Sequence, residues 1–376
     1  MNFPEKLEQK LTQRKETQAL RELGVQSNWV DFSSNDYLGF AKMEIIFDKT
    51  HQFLLENKLK FNGATGSRLL TGNNQLYTNI EKQLATLHRT EAALIFNSGY
   101  DANIGFFATV PQRGDVILYD ELIHASIRDG IQLTHAKSFK FKHNNIHDLE
   151  EKIIHFTKDK NQEIYVVTES VFSMDGDSPD LVTMAKICKK NNAYFVVDEA
   201  HALGVFNLGL IQKLQLENAV FARIITFGKA LGCHGAAILT SKKLQQYLIN
   251  FARSFIYTTG LSPHALATIK IAYNELLTHK NKEKLQQNIQ HFIAESAQLP
   301  LPFIKSNSAI HCCIISGNQQ VKQIASKLQQ KGFDVRAILS PTVPKNQERL
   351  RFCLHAYNSK QEITNVLALL TTFVTS

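Results

Sequence analysis

The sequence is poor in cysteine and shows no pattern that cysteine chemistry requires. Its 376 residues include five cysteines, Cys188, Cys233, Cys312, Cys313 and Cys353, and no C-x-x-C pair. Such irregular spacing argues against a disulfide framework or a zinc site, and it favours reduced thiols in a cytosolic protein. We therefore predict that the protein holds no metal ion.

Signals for membrane insertion and export are also missing from the sequence. No stretch approaches the ~18 consecutive apolar residues that a membrane-spanning helix needs. The first 25 residues are too charged for a secretory signal. We therefore predict a cytoplasmic protein that does not enter a membrane.

The bulk composition indicates a globular protein with more than one core. A chain of 376 residues exceeds what a single core usually serves, so two domains are expected. The formal net charge is +8, from 42 basic and 34 acidic residues. A solvated basic surface explains this excess most simply. Attraction for a polyanion such as coenzyme A, an acyl carrier protein or nucleic acid is the alternative.

Short apolar runs alternate with amphipathic segments through the middle of the chain. The runs are AALIFNS, DVILYDE, EIYVVTES, AYFVVDE, RIITFG and AAILTS. Continuous apolar strands separated by amphipathic helices predict a mostly parallel sheet with helices on both faces, an α/β fold. We predict an N-terminal helix ending at Gly24, an arm over 1–38, a large domain over 39–272 and a smaller α/β domain over 273–376.

One lysine stands apart from all other charged residues. Lys229 is the only charged side chain between Arg223 and Lys242, and a lysine kept in apolar surroundings is often reserved for chemistry. Upstream, the run YFVVDEAHALG places Asp198 at the end of a predicted strand and His201 three residues later. Together these residues predict a pyridoxal phosphate site, in which the lysine forms a Schiff base and the carboxylate keeps the pyridine nitrogen protonated.

Each of these residues also has a simpler interpretation when it is taken alone. Asp198 resembles a helix cap, His201 a packed loop residue and Lys229 an ordinary surface lysine. Thr226 is a natural phosphate ligand or only a strand residue that fills space. Against the simpler interpretation, the glycines around Lys229 let backbone approach a ligand.

Two further segments fit an anionic cofactor. Ser98, Gly99 and Tyr100 follow a predicted strand and open a helix, where free backbone amides suit a phosphate; a plain strand-to-helix turn is equally consistent. His124 suits a ring stacked on the cofactor, or else a core histidine. Ser173 suits a donor to the phenolic oxygen of the cofactor, or else a turn serine.

The ordered set of motifs resembles the α-oxoamine synthases, pyridoxal phosphate enzymes of fold type I. The matching runs are FSSNDYLG, GATGSRLLTGN, FNSGYDANIG, HASIRDG, ESVFSMDGD, VVDEAHALGVF, TFGKALGCHGAAIL, FIYTTGLSP and SPTVP…ERLRFCL. They extend from about residue 31 to residue 353 in the same order. Within the family, the similarity is greatest to the members that condense L-alanine with a pimeloyl thioester in biotin biosynthesis.

The resemblance implies a role for each matched cofactor residue. Lys229 is the Schiff-base lysine, Asp198 the partner of the pyridinium, and His124 the stacking ring. Ser173 and His201 lie near the phenolic oxygen. The implied contacts to the cofactor or its phosphate come from Ser98, Gly99, Tyr100 and Thr226.

The resemblance also implies substrate residues and a homodimer. Arg21 and Thr342 match positions that meet the acyl substrate, delivered by an acyl carrier protein or by coenzyme A. Arg351 matches the arginine that grips the carboxylate of the amino acid, a task that suits its planar fork, with Asn35 assisting it. Thr258 and Thr259 match residues that reach the phosphate in a neighbouring subunit.

Other functions fit the sequence less well. The tetrad Asp198-Glu199-Ala200-His201 spells the motif of DEAH-type helicases, but such a motor needs G-x-x-x-x-G-K-[ST], which the chain lacks. We therefore predict no nucleic-acid partner. A non-catalytic scaffold with the same fold is disfavoured because the lysine, aspartate and histidines are all present. Within the family, a glycine C-acetyltransferase, a 5-aminolevulinate synthase or a serine palmitoyltransferase is the remaining alternative.

Overall fold

A computed structural model describes residues 3–24, 28–159 and 161–375 of the chain. Its fourteen α-helices within these ranges are α1 (Glu5–Glu16), α2 (Glu44–Glu56), α3 (Gln75–Leu87), α4 (Gly99–Phe107), α5 (Ala125–Leu133), α6 (Ile146–Phe156), α7 (Leu181–Lys190), α8 (Leu210–Lys213), α9 (Lys242–Phe251), α10 (Arg253–Ile256), α11 (Pro263–Thr278), α12 (Asn281–Ser296), α13 (Asn318–Gln330) and α14 (Lys360–Thr375). The strands are β1 (Val30–Asp31), β2 (Ala92–Phe96), β3 (Val116–Asp120), β4 (Lys137–Phe141), β5 (Ile164–Glu169), β6 (Tyr194–Asp198), β7 (Leu203–Gly204), β8 (Asn207–Leu208), β9 (Ala222–Thr226), β10 (Ala236–Thr240), β11 (Ile310–Ile314), β12 (Phe333–Asp334), β13 (Arg336–Ile338) and β14 (Arg349–Cys353).

A seven-stranded sheet in the order β2-β10-β9-β6-β5-β3-β4 forms the centre of the larger part of the protein. All neighbouring pairs from β9 to β4 are parallel, and only β10 runs against its neighbours β2 and β9. The predicted α/β fold with a mostly parallel sheet is therefore confirmed. Every apolar run that predicted a strand in this region became one.

Alternate residues of each central strand enter different cores, one on either face of the sheet. Val196 of β6 and Ile224 of β9 belong to one cluster of buried side chains. Phe195 and Val197 belong to the other, together with residues of α6 and α7. Since side chains alternate across a strand, strands covered by helices on both faces must be apolar throughout. This is why the strands of the sequence appear as continuous apolar runs.

Four polar residues end four parallel strands at the same edge of this sheet. Asp120 ends β3, Glu169 ends β5, Asp198 ends β6 and Thr226 ends β9. Glu169 and Asp198 are also direct neighbours in the pairing of β5 with β6. Ligands of parallel α/β sheets bind beyond the carboxyl ends of the strands, so the fold gathers candidate site residues there.

A fully buried ion pair fixes the chain immediately after Asp198. Glu199 accepts a hydrogen bond from Arg223 Nε at 2.7 Å, and neither side chain is accessible to solvent. Glu199 also accepts from the backbone amide of Ile211 at 2.9 Å, and its own amide donates to Ile224 at 2.8 Å. Removing one partner of such a pair leaves an uncompensated buried charge, so the ends of β6 and β9 are held in place.

The described chain divides into two compact units. The larger unit comprises 36–173 and 178–282, and the smaller unit comprises 174–177, 283–375 and the described residues before 36. In the smaller unit, β14 lies between β11 and β13 in an antiparallel sheet, and β1 pairs with β12. The predicted division at residues 38 and 272 remains a prediction.

One local prediction from the sequence is wrong in extent, and one strand was not predicted. The N-terminal helix ends at Glu16 and not at Gly24, because Thr17 caps it and Gln18 takes a positive φ of 52°. Strand β4 (Lys137–Phe141) was not predicted, and four of its five residues are exposed. Lysines on such an edge strand oppose pairing with another chain, and they also hide its apolar signal.

All five cysteines are free, and four of them are buried. No helix in the described ranges has both the length and the apolar character needed to cross a membrane.

Candidate active site

Asp198 is the best-defined acidic group at the carboxyl edge of the sheet. Only 5% of its surface is exposed. Its Oδ1 accepts a hydrogen bond from the amide of Ala200 at 2.8 Å, and its Oδ2 accepts one from Asn103 Nδ2 at 2.9 Å. The carboxylate is therefore oriented through both oxygens, and each oxygen keeps a lone pair for a further donor.

His124 lies at the start of α5, beside this carboxylate. Its Nδ1 accepts from the amide of Ser126 at 3.2 Å and lies 2.8 Å from the hydroxyl of Ser126. Desolvation lowers the pKa of His124 and Lys229 lowers it further, although Asp198 and Asp129 act in the opposite direction. The ring is thus neutral near pH 7 and, because Nδ1 accepts, it carries its proton on Nε2.

Lys229 and His201, two residues of the predicted site, are in contact in the structure. Lys229 Nζ lies 2.6 Å from His201 Nε2, and His201 Nδ1 lies 2.7 Å from the hydroxyl of Tyr37. Tyr37 is fully buried, and His201 is 4% exposed. The lysine amine, the imidazole and the phenol therefore form one continuous hydrogen-bonded series.

Helix α4 places its first residues next to the end of β9. Ser98 caps the helix by accepting from the amide of Asp101 at 3.0 Å. A Cβ added at Gly99 would lie 3.6 Å from Thr226 Cβ, an ordinary van der Waals contact, so the start of α4 and the end of β9 are direct neighbours. A glycine at a helix N-terminus beside a threonine hydroxyl is well suited to hold a phosphate.

The hydroxyl of Tyr100 is engaged within the same unit. Tyr100 is half exposed, and its phenol donates to Asp129 Oδ2 at 2.6 Å. The hydrogen bond to Asp129 raises the pKa of Tyr100. Its predicted role as a cofactor contact is not tested by this arrangement and stays a prediction.

Glu169 is a site residue that the sequence analysis missed. It is almost fully buried, and it accepts the backbone N–H of His124 at 2.6 Å. Burial, together with the charge of Asp198, raises the pKa of Glu169 to about 8. The signal was available, because Glu169 is the second-last residue of the run EIYVVTES as Asp198 is of YFVVDE.

The remaining predicted residues of the larger unit lie in two loops. Ser173 follows β5 in a turn and is largely buried. Thr258 and Thr259 follow α10, and Asn97 Nδ2 donates to Thr258 Oγ1 at 3.0 Å and to the carbonyl oxygen of Thr259 at 2.6 Å. These bonds tie both threonines to the residue that precedes the cap of α4.

The smaller unit pairs two of the four predicted substrate residues that it contains. Arg351 in β14 donates from Nη2 to Asn35 Oδ1 at 2.9 Å, and 9% of Arg351 is exposed. Arg21 lies outside any helix, and Thr342 lies in the turn after β13; both are exposed. Arg351 and Asn35 are thus hydrogen-bonded to each other, and the substrate roles of all four residues stay predictions.

The donor set of the larger unit fits pyridoxal phosphate. Asp198 offers a buried, oriented carboxylate to a ring nitrogen, and Lys229 offers an amine to an aldehyde. The first turn of α4, with Gly99 and Thr226, offers donors to a phosphate. His124 adds a neutral ring. These are the groups by which proteins bind this cofactor and tune it.

Comparisons with known proteins agree with this chemistry. The family model described as aminotransferase class I and II matches residues 27–370. An 8-amino-7-oxononanoate synthase of Emericella nidulans is 39% identical over 98% of this chain and 95% of its own length.

The chain is also similar to solved structures of α-oxoamine synthases. The crystal structure of 8-amino-7-oxononanoate synthase from Francisella tularensis is 29% identical and has a TM-score of 0.79, covering 93% of this chain and 99% of that one. A lysine-to-alanine variant of serine palmitoyltransferase from S. paucimobilis, with a bound PLP–myriocin aldimine, is 25% identical, with a TM-score of 0.88 over 98% of this chain and 96% of that one.

Proposed function

The chain belongs to the aminotransferase class I and II family, and within it to the α-oxoamine synthases, and from that premise we propose its reaction. It condenses L-alanine with a pimeloyl thioester, releases carbon dioxide and the thiol, and yields 8-amino-7-oxononanoate for biotin biosynthesis. The cofactor is pyridoxal 5'-phosphate, and the protein that binds it has the fold of the type I pyridoxal phosphate enzymes. When bound, this cofactor supplies an aldehyde that links to amino groups and a protonated ring that withdraws electrons.

Asp198 and His124 act on the cofactor ring. The carboxylate of Asp198 holds a proton on the ring nitrogen, and its position is set by the two hydrogen bonds at its oxygens. A neutral His124 would stack on the ring of the bound cofactor without adding a positive charge next to it. Oriented groups of this kind stabilise a developing charge without reorganising during the reaction.

Lys229 moves the proton of the amino acid. Its amine would hold the cofactor through the aldehyde, and the same amine, once released, would take the proton from Cα of alanine. His201, 2.6 Å from Nζ, orients the amine, and Tyr37 orients His201 from its other nitrogen. A base must lie within hydrogen-bonding reach of the proton that it takes, so this series sets the direction of the amine.

The substrate contacts are proposals that rest on the resemblance. Arg351, oriented by Asn35, binds the carboxylate of alanine, and Arg21 and Thr342 bind the acyl thioester. The acyl carrier is an acyl carrier protein or coenzyme A. We also propose that the protein is a homodimer in which Thr258 and Thr259 reach the phosphate of the neighbouring subunit. The cytoplasmic location remains a prediction.

The observation that carries the proposal is the meeting of Lys229, His201, Asp198 and His124 at one edge of the sheet, in a chain 39% identical to a named synthase over nearly its full length. The high structural similarity to a serine palmitoyltransferase keeps that enzyme class as the second candidate. Fold similarity does not select a substrate, so the amino acid and the acyl chain must be tested directly.

A substrate panel with the purified, cofactor-loaded protein tests the proposal. Alanine, serine and glycine are each combined with short-chain, pimeloyl and palmitoyl thioesters, and both thiol release and the ketone product are measured. We expect the highest kcat/KM for alanine with a pimeloyl thioester. A preference for serine with the palmitoyl thioester would establish the second candidate in its place.

A further inference from the structure

One buried amide connects the two groups that act on the cofactor ring. Asn103, on α4 and 2% exposed, donates from Nδ2 to Asp198 Oδ2 at 2.9 Å and to Ser126 Oγ at 2.9 Å. Ser126 lies in turn 2.8 Å from His124 Nδ1. We propose that Asn103 is a positioning residue of the reaction, which orients Asp198 directly and His124 through Ser126. This inference rests on the proposed function and deepens it.

The direction of the hydrogen bonds follows from the donors present. The amide of Asn103 donates to Ser126 Oγ, so the hydroxyl hydrogen of Ser126 is left to donate to His124 Nδ1. That nitrogen also accepts the backbone N–H of Ser126 at 3.2 Å. Two donors on Nδ1 favour the neutral ring with its proton on Nε2.

The surroundings of His124 act on its charge in both directions, and desolvation, the largest influence, lowers its pKa and favours the neutral ring. Asp198 on β6 and Asp129 on α5 both raise its pKa, and the carboxyl group of Glu169 on β5 lies against its backbone; Lys229 and desolvation act in the opposite sense. An imidazolium next to the ring would compete with the positive charge that Asp198 stabilises on the ring nitrogen. Keeping His124 neutral therefore serves the same chemistry as orienting Asp198.

The close packing of α4 on α5 allows the contact between Asn103 and Ser126. A side chain at Gly130 on α5 would meet Phe107 Cβ at 2.9 Å and the carbonyl oxygen of Asn103 at 3.0 Å. Glycine therefore allows the two helices to approach closely enough for Asn103 to reach Ser126. Helix α4 begins at Gly99, about one turn before Asn103, where the candidate phosphate donors lie.

A purely structural role explains Asn103 poorly. Its Oδ1 has no hydrogen-bond partner among the described residues, and an unsatisfied buried acceptor costs about 1–3 kcal/mol. An apolar residue of similar size would avoid that cost. What only the amide supplies is two N–H donors in one group, aimed at Asp198 and Ser126.

Three variants of the cofactor-loaded protein separate positioning from stability. Asn103→Ala removes both hydrogen bonds, and Ser126→Ala removes only the link to His124. Asn288→Ala is the matched control, because Asn288 is a buried asparagine of the smaller unit whose Nδ2 also donates twice, to the carbonyl oxygens of His355 and Asn358.

Two measurements report on positioning without the acyl substrate. One is the exchange of the α-hydrogen of alanine with deuterated solvent. The other is the pKa and tautomer of His124 from NMR of labelled histidine, with the signal assigned by its loss in His124→Gln. Cofactor content and thermal unfolding are recorded for every variant.

We expect Asn103→Ala to slow the exchange about tenfold or more, ~1.4 kcal/mol of barrier, while the Kd for alanine changes little. Ser126→Ala should raise the pKa of His124 and slow the exchange less. Asn288→Ala should lower the unfolding temperature and leave both readouts unchanged. The inference is wrong if Asn103→Ala, like the control, affects only unfolding. If Asn103→Ala does not fold, an unchanged His124 in Ser126→Ala is sufficient to reject it.

Failure of the proposed function would look different. The unaltered protein would then leave the α-hydrogen of alanine in place, although the pKa and tautomer of His124 would still respond to Ser126→Ala.

Discussion

The buried candidate cofactor residues of the larger unit differ from the exposed candidate substrate residues of the smaller unit in how they are held. Asp198, His201 and Thr226 are buried, and side-chain hydrogen bonds fix Asp198 and His201. Arg21 and Thr342 are exposed. Groups fixed before the reaction act mainly on the chemical step, whereas exposed contacts act mainly on binding. Substitutions in the first group should therefore lower kcat, and those in the second should raise KM.

The largest effect is expected from Lys229→Ala. Without the amine no group holds the cofactor covalently or takes the proton of alanine, so turnover should vanish together with the yellow absorbance of the bound cofactor. Spectra and thiol-release assays on the purified variant measure both, with the exposed Lys243→Ala as control. Retained turnover would falsify the role of Lys229.

Asp198→Asn should have the next largest effect. The amide has the same shape but carries no negative charge to hold the proton on the ring nitrogen, so the cofactor should still bind while proton removal slows severely. A loss of kcat of less than about tenfold, ~1.4 kcal/mol, would contradict the role assigned to this carboxylate. Exchange of the α-hydrogen of alanine isolates the step.

Arg351→Lys tests the smaller unit. A lysine keeps the charge but loses the planar fork that binds a carboxylate through two bonds. We expect KM for alanine to rise about tenfold with a smaller change in kcat. Arg336→Lys is the control, because Arg336 faces Arg351 on the neighbouring strand and is exposed. Equal effects of both substitutions would remove the specific role of Arg351.

Glu169 should make the stability of the larger unit depend on pH. Burial raises its pKa to about 8 from 4.5, so between these values the folded protein binds a proton that the unfolded chain has lost. Stability should therefore fall as pH rises from about 4.5 to 8 and then level off. Glu169→Gln should flatten this part of the curve in denaturant titrations of the cofactor-free protein. An unchanged slope would show that Glu169 is not the group responsible.

The smallest effect is expected from Arg21→Ala. An exposed arginine contributes little to a charged contact in water, about 1 kcal/mol or less, so KM for the acyl thioester should rise only a few-fold. KM for alanine and kcat should stay the same. A large loss of kcat would break the distinction between the two groups of residues.

The sequence predicted the site residues best where local pattern and chemistry coincide. Lys229 was evident from its uncharged neighbourhood, and Asp198 from its place at the end of an apolar strand. Asn103 and Tyr37 were missed because nothing local marks an asparagine within a helix or a tyrosine in a turn. Their importance comes from contacts 95 residues away, from Asn103 to Asp198, and 164 residues away, from Tyr37 to His201.

The sequence by itself determined the α/β order of elements and the family, and it singled out Lys229 as the candidate Schiff-base lysine, because apolar periodicity and short motifs are local properties of the chain. Only the tertiary structure decided which groups share hydrogen bonds, which way the ring of His124 is protonated, and that Glu169 lies beside Asp198. Those properties depend on distance and desolvation. Both arise only when strands far apart in the chain end side by side.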